Sequence, residues 1–439
     1  MISGGIAIPL IRFAIPLFLG SIFQQLYSTT DFLFVGNYLG KASAAAVGSS
    51  GILVTCLIGL FTGIATGAGI TVSHSVGAGK FQEAEAHMHT AILLALLGGI
   101  AMISFGQLAA VSVLELLHVP ANLMPEAVEY VRFYFLGMLP MILYNIGAGI
   151  LRACGDSTSP FYILIIGGFV NVCMDYLMIK VLQTGVRGAA IATTISQSFS
   201  AFAVLWKLSC GNEILQLRIA KLKINKNSML SILQLGIPAG IQSIVITLSN
   251  IIVQYHINHY GEDVIAAFAT YFKLENFTYF PALAFGQAAM TFVGQNVGAG
   301  KHERVKKGLA VSSILSVSMI TLIAVFLLAL GRTSVGWFIK DPDVINVGLH
   351  IIAITFPLYW LNGLIEVFGG GVRGLGHPTT SMIVILCTLC CFRVLLLSVV
   401  DHYIQTVQSI VWVYPISWIS AAVGLFVALY LYIKKLFIE

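Results

Sequence analysis

The chain has 439 residues, of which 58% are hydrophobic and only 9% are charged, and its formal net charge is +5 at pH 7. An ordinary soluble protein carries about 25% charged residues, and a soluble fold of this size cannot cover its surface with so few. The composition therefore indicates a polytopic membrane protein, and it excludes nucleic-acid-binding proteins, disulfide-rich secreted scaffolds and disordered chains.

Apolar segments that meet the bilayer requirement of about 20 residues run through the whole chain. We predict an all-α protein with about twelve transmembrane helices. The predicted spans lie near residues 6–34, 46–74, 88–112, 127–150, 160–182, 188–208, 231–257, 264–294, 308–330, 344–370, 379–400 and 409–433. The loops are short except for the basic stretch 209–230, which divides an N-terminal six-helix lobe (1–208) from a C-terminal one (231–439).

The distribution of basic residues predicts the orientation of the spans. With a cytoplasmic N-terminus, 15 of the Lys and Arg residues fall on the cytoplasmic side and 5 on the outside. Because basic residues concentrate in cytoplasmic loops, we expect both termini and the 209–230 linker in the cytoplasm. The expected location is the cytoplasmic (inner) membrane of the cell, with many passes.

The two halves of the chain repeat each other. Three short motifs recur at a spacing of 221 or 222 residues: VGAGK at 76–80 and 297–301, LRACG at 151–155 with VRGLG at 372–376, and AIP at 14–16 with GIP at 236–238. An offset of six spans gives both halves the same orientation in the membrane, which is a parallel repeat. Such a repeat is expected to place a cavity between two helical bundles. In span 2, Gly59, Gly63 and Gly67 share one face and predict close helix packing.

Ionisable residues inside spans are costly and usually functional. Asp31 lies toward the outer end of span 1, with Gln24 about two turns earlier on nearly the same face. Asn171 and Asp175 of span 5 are four residues apart and so share a helix face. Low dielectric disfavours the charged form of a carboxyl group, which suits Asp31 to load and release a proton. Oxygen ligands also suit a sodium ion, so a sodium site at Asp31, Asn171 and Asp175 stays open.

Structural interpretations of these carboxylates also stay open. Asp31 can be an interfacial residue near the outer headgroups, and Asp175 can be a polar clamp between helices. The repeat offers an internal comparison, because Asp31 corresponds to Val253 and Asp175 corresponds to Leu396. The repeated architecture therefore does not itself require either carboxylate, which favours a functional role.

The C-terminal half carries a different set of charges, among them Glu275 in span 8 and Glu366 in span 10. Either glutamate is a candidate to attract a cationic substrate, but Lys273 and Glu275 can equally be paired elsewhere and be merely structural. Tyr27, Tyr144 and Tyr271 are tentative substrate contacts, because aromatic side chains in spans can line an adaptable apolar cavity.

The paired IP entries to spans 1 and 7, the QQLY motif at 24–27 with Asp31, and both the VGAGK and LRACGD/VRGLGH pairs resemble the multidrug and toxic compound extrusion (MATE) family, prokaryotic branches. The resemblance covers essentially the whole chain. It implies two six-helix lobes and cation-coupled export of amphipathic, often cationic compounds, with a coupling site in the N-terminal lobe at positions matching Asp31, Asn171 and Asp175. One departure is Ile246, where other branches have a glutamate in span 7.

The sequence thus predicts a secondary antiporter, not an enzyme, that exports organic cationic amphipathic compounds in exchange for protons or sodium ions. The alternative is a flippase for a lipid-linked precursor of the same broad superfamily. No convergent catalytic set is found in the sequence. We expect no cofactor beyond the coupling ion and no metal apart from the sodium alternative. The expected partners are small organic molecules and the lipid bilayer but not nucleic acid, and the protein is expected to be a monomer.

Overall fold

The computed structural model describes residues 1–116, 119–210 and 215–438, and all regular secondary structure in that part of the chain is helical. The sixteen α-helices are α1 (Ala7–Phe34), α2 (Lys41–Gly77), α3 (Phe81–Leu116), α4 (Met124–Leu136), α5 (Met138–Ala153), α6 (Thr158–Asp175), α7 (Val186–Cys210), α8 (Lys226–Ile257), α9 (Glu262–Gly298), α10 (His302–Leu330), α11 (Arg332–Gly336), α12 (Pro342–Thr355), α13 (Trp360–Gly374), α14 (Pro378–Ile385), α15 (Arg393–Tyr403) and α16 (Val407–Leu436). This confirms the predicted all-α class.

Most of these helices are long and apolar enough to cross a membrane. In the described part of the chain nine helices meet that criterion, and two bent helix pairs raise the number to eleven. Predicted span 8 corresponds to α9, which has 37 residues but carries Lys273, Glu275 and Asn276 in its middle and is less apolar. The predicted polytopic arrangement is therefore confirmed.

Spans 4 and 10, which are repeat partners, are both broken. α4 and α5 meet at a bend of 43° around Gly137, and the segment Pro342–Leu358 meets α13 at 47°. In the second case Pro357 lies in a 3₁₀ turn, Phe356–Leu358, where its missing N–H cannot continue the α-helical ladder. Spans 5 and 11 likewise share a feature, because each contains a π-helical stretch, Tyr176–Val181 and Leu386–Phe392.

The repeated glycine motifs form the same helix-ending turn in both halves. After α2, Gly79 has φ +71°, and the N–H of Lys80 donates to the carbonyl of Ser75 at 2.9 Å. After α9, Gly300 has φ +68°, and the N–H of Lys301 donates to the carbonyl of Asn296 at 2.8 Å. Glycine adopts this left-handed conformation without the penalty that a Cβ imposes, so VGAGK ends the helix and returns the chain.

The chain divides into two compact units, one of residues 19–240 and one of residues 1–18 with 241–439. In the second unit, Leu10, Phe13 and Ala14 of α1 are buried in an apolar cluster together with Phe292 and other residues of the C-terminal helices. The predicted lobe boundaries at 208 and 231 stay a prediction.

In the 19–240 unit, α2 and α8 cross at backbone contact. A Cβ added at Gly63 would lie 2.1 Å from the backbone nitrogen of Gly240, and one at Gly67 would lie 2.3 Å from the carbonyl oxygen of Ile232. Only glycine permits this approach, so the packing role predicted for Gly63 and Gly67 is confirmed.

A second close crossing occurs once in each unit, between repeat partners. A Cβ at Gly370 of α13 would lie 2.2 Å from the carbonyl oxygen of Gly286 in α9. A Cβ at Gly149 of α5 would lie 3.1 Å from the carbonyl oxygen of Ala65 in α2. The tighter C-terminal crossing holds Glu366 of α13 against α9, since Glu366 backbone and Cβ atoms lie about Gly286.

Candidate functional site

Two carboxylates and one amide come together in the 19–240 unit. Asp31 lies in the last turn of α1, which continues as a π-helical stretch from Val35 to Leu39. Asn171 and Asp175 lie on α6, and Asp175 is its last residue before the π-helical stretch Tyr176–Val181. π-helical stretches frequently occur at functional sites, and here one follows each carboxylate.

The carboxyl groups of Asp31 and Asp175 approach each other within hydrogen-bonding reach. Asn171 and Asp175 are 1% and 0% exposed. Four oxygen atoms at this cluster are enclosed without a hydrogen-bond donor: Oδ1 of Asp31, Oδ1 of Asn171 and both carboxylate oxygens of Asp175. Ionised carboxylates only accept hydrogen bonds, so neither aspartate can satisfy the other while both are charged.

Two charged carboxylates this close together are unfavourable unless a proton or a cation binds between them. Two like charges at this distance repel each other, and a buried polar atom without a partner costs about 1–3 kcal/mol. A proton on either carboxyl creates a donor for the other, and a hard cation uses the oxygens as ligands. The geometry therefore fits a site that binds a proton or a small cation reversibly.

Two tyrosines lie near the pair. Tyr130 neighbours both aspartates, and Tyr27 lies close to Asp31. Gln24, predicted as part of the cluster, lies within hydrogen-bonding reach of Tyr27. Tyr144, predicted as a substrate contact, donates its hydroxyl to the carbonyl of Pro160 at 3.2 Å.

A separate polar cavity of about 300 Å³ lies within the unit that contains 241–439. Its walls combine two glutamates, two arginines, four side-chain amides and several aromatic rings. The residues that matter below are Glu275, Tyr279, Tyr359, Glu366, Arg373, Arg393, Tyr414 and Trp418. Small-molecule sites in proteins typically begin at about this volume and combine apolar walls with a few polar groups.

Glu275 is held by a tyrosine instead of the neighbouring lysine. The hydroxyl of Tyr359 donates to Oε1 of Glu275 at 2.9 Å. Lys273 is exposed, and its Nζ lies 5.6 Å from the centroid of the Phe338 ring. Because they are two residues apart on α9, Lys273 and Glu275 point in different directions, and Glu275 has its hydrogen-bond partner in Tyr359. The alternative that both residues are paired elsewhere and merely structural stays a prediction.

Glu366 faces a basic partner on its own helix. Nη2 of Arg373 lies 3.7 Å from Oε2 of Glu366, and both side chains are largely buried. Arg373 lies beyond the predicted span 344–370, but α13 extends to Gly374, so Arg373 belongs to the helix and lines the cavity. Tyr271, a predicted substrate contact, is 1% exposed and does not belong to the lining of this cavity. The centroid of its ring lies 6.2 Å from that of Phe356.

Two stretches of the chain, residues 16–177 and 238–399, match the model of the MatE family. The chain belongs to this family. The two matches are offset by the spacing of the internal repeat, so each half of the MATE fold is recognised separately.

Known proteins resemble this MATE chain over nearly its whole length. It is 27% identical over 418 residues to "Probable multidrug resistance protein YoeA" of Bacillus subtilis (strain 168), covering 92% of this chain and 89% of the relative. It is 23% identical to an "FAD transporter" of Shewanella oneidensis, covering 95% and 93%. A solved structure, the outward-facing conformation of a multidrug resistance MATE family transporter, matches with a TM-score of 0.93 at 20% identity over 100% of this chain and 98% of that one.

The MATE chain is therefore a multi-pass membrane transporter of small molecules, not an enzyme, and the names of its relatives indicate multidrug transport. The family needs no cofactor. In the described part of the chain, no cluster of three or more His, Cys, Asp or Glu residues suits a metal ion. The roles of Asp31, Asn171 and Asp175 stay a prediction.

Several residues around these two sites were not singled out from the sequence as site members. Tyr130 and Tyr359 read as ordinary span aromatics, and only the three-dimensional contact with a carboxyl group distinguishes them. Arg393 falls within the predicted span 379–400, but its position in the cavity wall was not predicted. A signal was available for Arg373, since a seven-residue spacing from Glu366 puts both on nearly one helix face.

Proposed function

We propose that this MATE protein is a secondary antiporter that exports organic, cationic amphipathic compounds in exchange for protons or sodium ions by alternating access. The observation that carries the proposal is the cluster of four donor-free oxygens on Asp31, Asn171 and Asp175. A permanently empty cluster of this kind only destabilises a protein, whereas an ion carrier needs one that fills and empties.

The coupling ion is proposed to bind at Asp31 and Asp175, with Asn171 as a neutral ligand one turn away. With a proton the two carboxyl groups form one hydrogen bond, and without it they repel each other. Loading therefore changes the preferred distance between α1 and α6, which gives the protein two arrangements of the same unit. Sodium acts through the same oxygens, because hard cations prefer oxygen ligands.

The substrates are proposed to be amphipathic organic compounds, since relatives are named as multidrug resistance proteins. Glu275 and Glu366 are the proposed attraction points for a cationic group, because both line the C-terminal cavity. A flippase for a lipid-linked precursor would need a strongly basic cavity, whereas two glutamates accompany the two arginines here. We further propose that one chain is the transport unit and that both termini are cytoplasmic.

The test uses the purified full chain in proteoliposomes with a fluorescent cation, a rhodamine methyl ester. Proton and sodium gradients are imposed separately across the same vesicles. We expect one gradient to drive uphill movement of the dye and Asp175→Asn to abolish it. Equal dye movement with and without both gradients would contradict ion coupling.

A further inference from the structure

Arg393 is a buried guanidinium that forms no ion pair with a carboxylate of the described residues. It lies at the start of α15 in span 11, is 5% exposed, and lines the C-terminal cavity. Its Nε donates to Oγ of Ser417 at 3.0 Å, and its Cζ lies 5.3 Å from the centroid of the Tyr414 ring. Within the described residues its two terminal nitrogens donate no hydrogen bond, and neither is among the fully enclosed polar atoms.

Among the described residues, neither glutamate of the cavity forms an ion pair with Arg393. Glu275 accepts from Tyr359, and Glu366 faces Arg373 at 3.7 Å. Glu275 is an electrostatic neighbour of Arg393, but no ion pair within 4.0 Å joins these two described residues. A charged group in a span is costly, and the Tyr414 face with one serine oxygen offsets that cost only in part. The terminal nitrogens therefore present an unused, planar pair of donors to the cavity.

This pair of donors defines a ligand chemistry. A guanidinium presents parallel N–H groups that match the two oxygens of a carboxylate or phosphate, a match that an ammonium group cannot make. The same cavity is lined by the rings of Tyr279, Tyr359 and Trp418, which suit an aromatic substrate. The glutamates on the same cavity wall suit a basic group at the other end of the same molecule.

We propose that Arg393 binds the acidic oxygen group of the substrate, so that the C-terminal cavity accepts aromatic zwitterions, with the acid at Arg393 and the base toward Glu275. This inference rests on the proposed export function and narrows its substrate class. A simple organic cation is then a weaker ligand of this cavity than its acid-bearing analogue.

The test compares two dyes that differ only at this group: a rhodamine free acid, which is a zwitterion, and its methyl ester, which is a cation. Binding to the purified full chain is measured by fluorescence anisotropy. A charge-assisted bidentate contact predicts that the acid binds about tenfold more tightly than the ester. Arg393→Gln should remove this preference, Arg393→Lys should keep part of it, and Lys273→Gln, a cation outside the cavity, should leave it unchanged.

Equal wild-type affinity for the two dyes would overturn the proposal without any variant, so a folding defect cannot mask the outcome. Persistence of the preference in Arg393→Gln would overturn it as well. Displacement of the acid dye by a long-chain isoprenyl diphosphate at lower concentration than by the dye itself would assign Arg393 to a lipid-linked precursor instead. Gradient-driven export of the ester is measured separately, so failure here is distinguishable from failure of the proposed antiport.

Discussion

The crossing of α2 and α8 gives a stability prediction whose size follows from the structure. In Gly63→Ala the new methyl group would lie 2.1 Å from the nitrogen and 2.3 Å from the Cα of Gly240. Favourable carbon contacts need about 3.5–4.0 Å, so the two helices must separate by more than about 1 Å. The obstacle is backbone on both sides, so no side-chain rotation relieves it.

The expected cost is the upper part of the overpacking range, about 3 kcal/mol. The gain in helix propensity from Gly to Ala returns about 1 kcal/mol, which leaves a net loss of about 2 kcal/mol. For a unit of this size such a loss lowers Tm by about 4–8 °C. The assay is thermal unfolding of the purified protein in detergent, followed by size-exclusion chromatography after heating.

Gly69→Ala on the same helix is the matched control. A Cβ at Gly69 would meet the carbonyl oxygen of Gly149 at 3.6 Å, which is an ordinary contact. Only the propensity gain then applies, and we expect an unchanged or raised Tm. Equal Tm values for Gly63→Ala and Gly69→Ala would contradict the predicted steric cost, because they would show that the helices separate without loss of stability.

Three further outcomes concern orientation and transport. A single cysteine in place of Lys221, in a cysteine-free background, should resist impermeant thiol reagents on intact cells; ready labelling would reverse the orientation. Glu275→Gln or Glu366→Gln should raise KM for the rhodamine ester by about tenfold and leave KM for a neutral dye nearly unchanged, since the lost interaction is charge-assisted. Equal effects on both dyes would indicate a structural role, and Lys273→Gln is the control for a charge change outside the cavity. Asp31→Asn should mimic the protonated state, bind substrate poorly and fail in export against a gradient; full proton-driven export by this variant would exclude Asp31 as a switch.

The sequence was sufficient for the fold because its signals are local and strong. Long apolar runs and recurring short motifs can be read directly from the chain, and the structure confirms the helices and gives both VGAGK motifs the same turn. The bends in spans 4 and 10 both lie beside a proline, since Pro140 is in the first turn of α5 after Gly137 and Pro357 sits in a 3₁₀ turn. A proline in a span marks a possible kink, but it does not fix the angle of the bend.

The proximity of side chains from different helices was predictable only where the charge itself was unusual. Asp31 and Asp175 stand out because carboxylates are rare in spans, and the structure brings them together. The partner of Glu275 was not predictable, because Tyr359 lies 84 residues away in the chain and resembles any other span tyrosine.

If Asp31, Asn171 and Asp175 form the coupling site, the variant that tests this site is Asp175→Asn. The new amide can donate a hydrogen bond to the Asp31 carboxylate, so one like-charge contact disappears and a donor appears. We expect Asp175→Asn to fold with an unchanged or raised Tm and to lose gradient-driven export in proteoliposomes. We expect Asn171→Ala to lose part of this export. Wild-type export rates in both variants at equal protein levels would contradict the assignment of the coupling site to these residues. A large fall in Tm with coupling intact would also contradict it, because that is the behaviour of a structural clamp between helices.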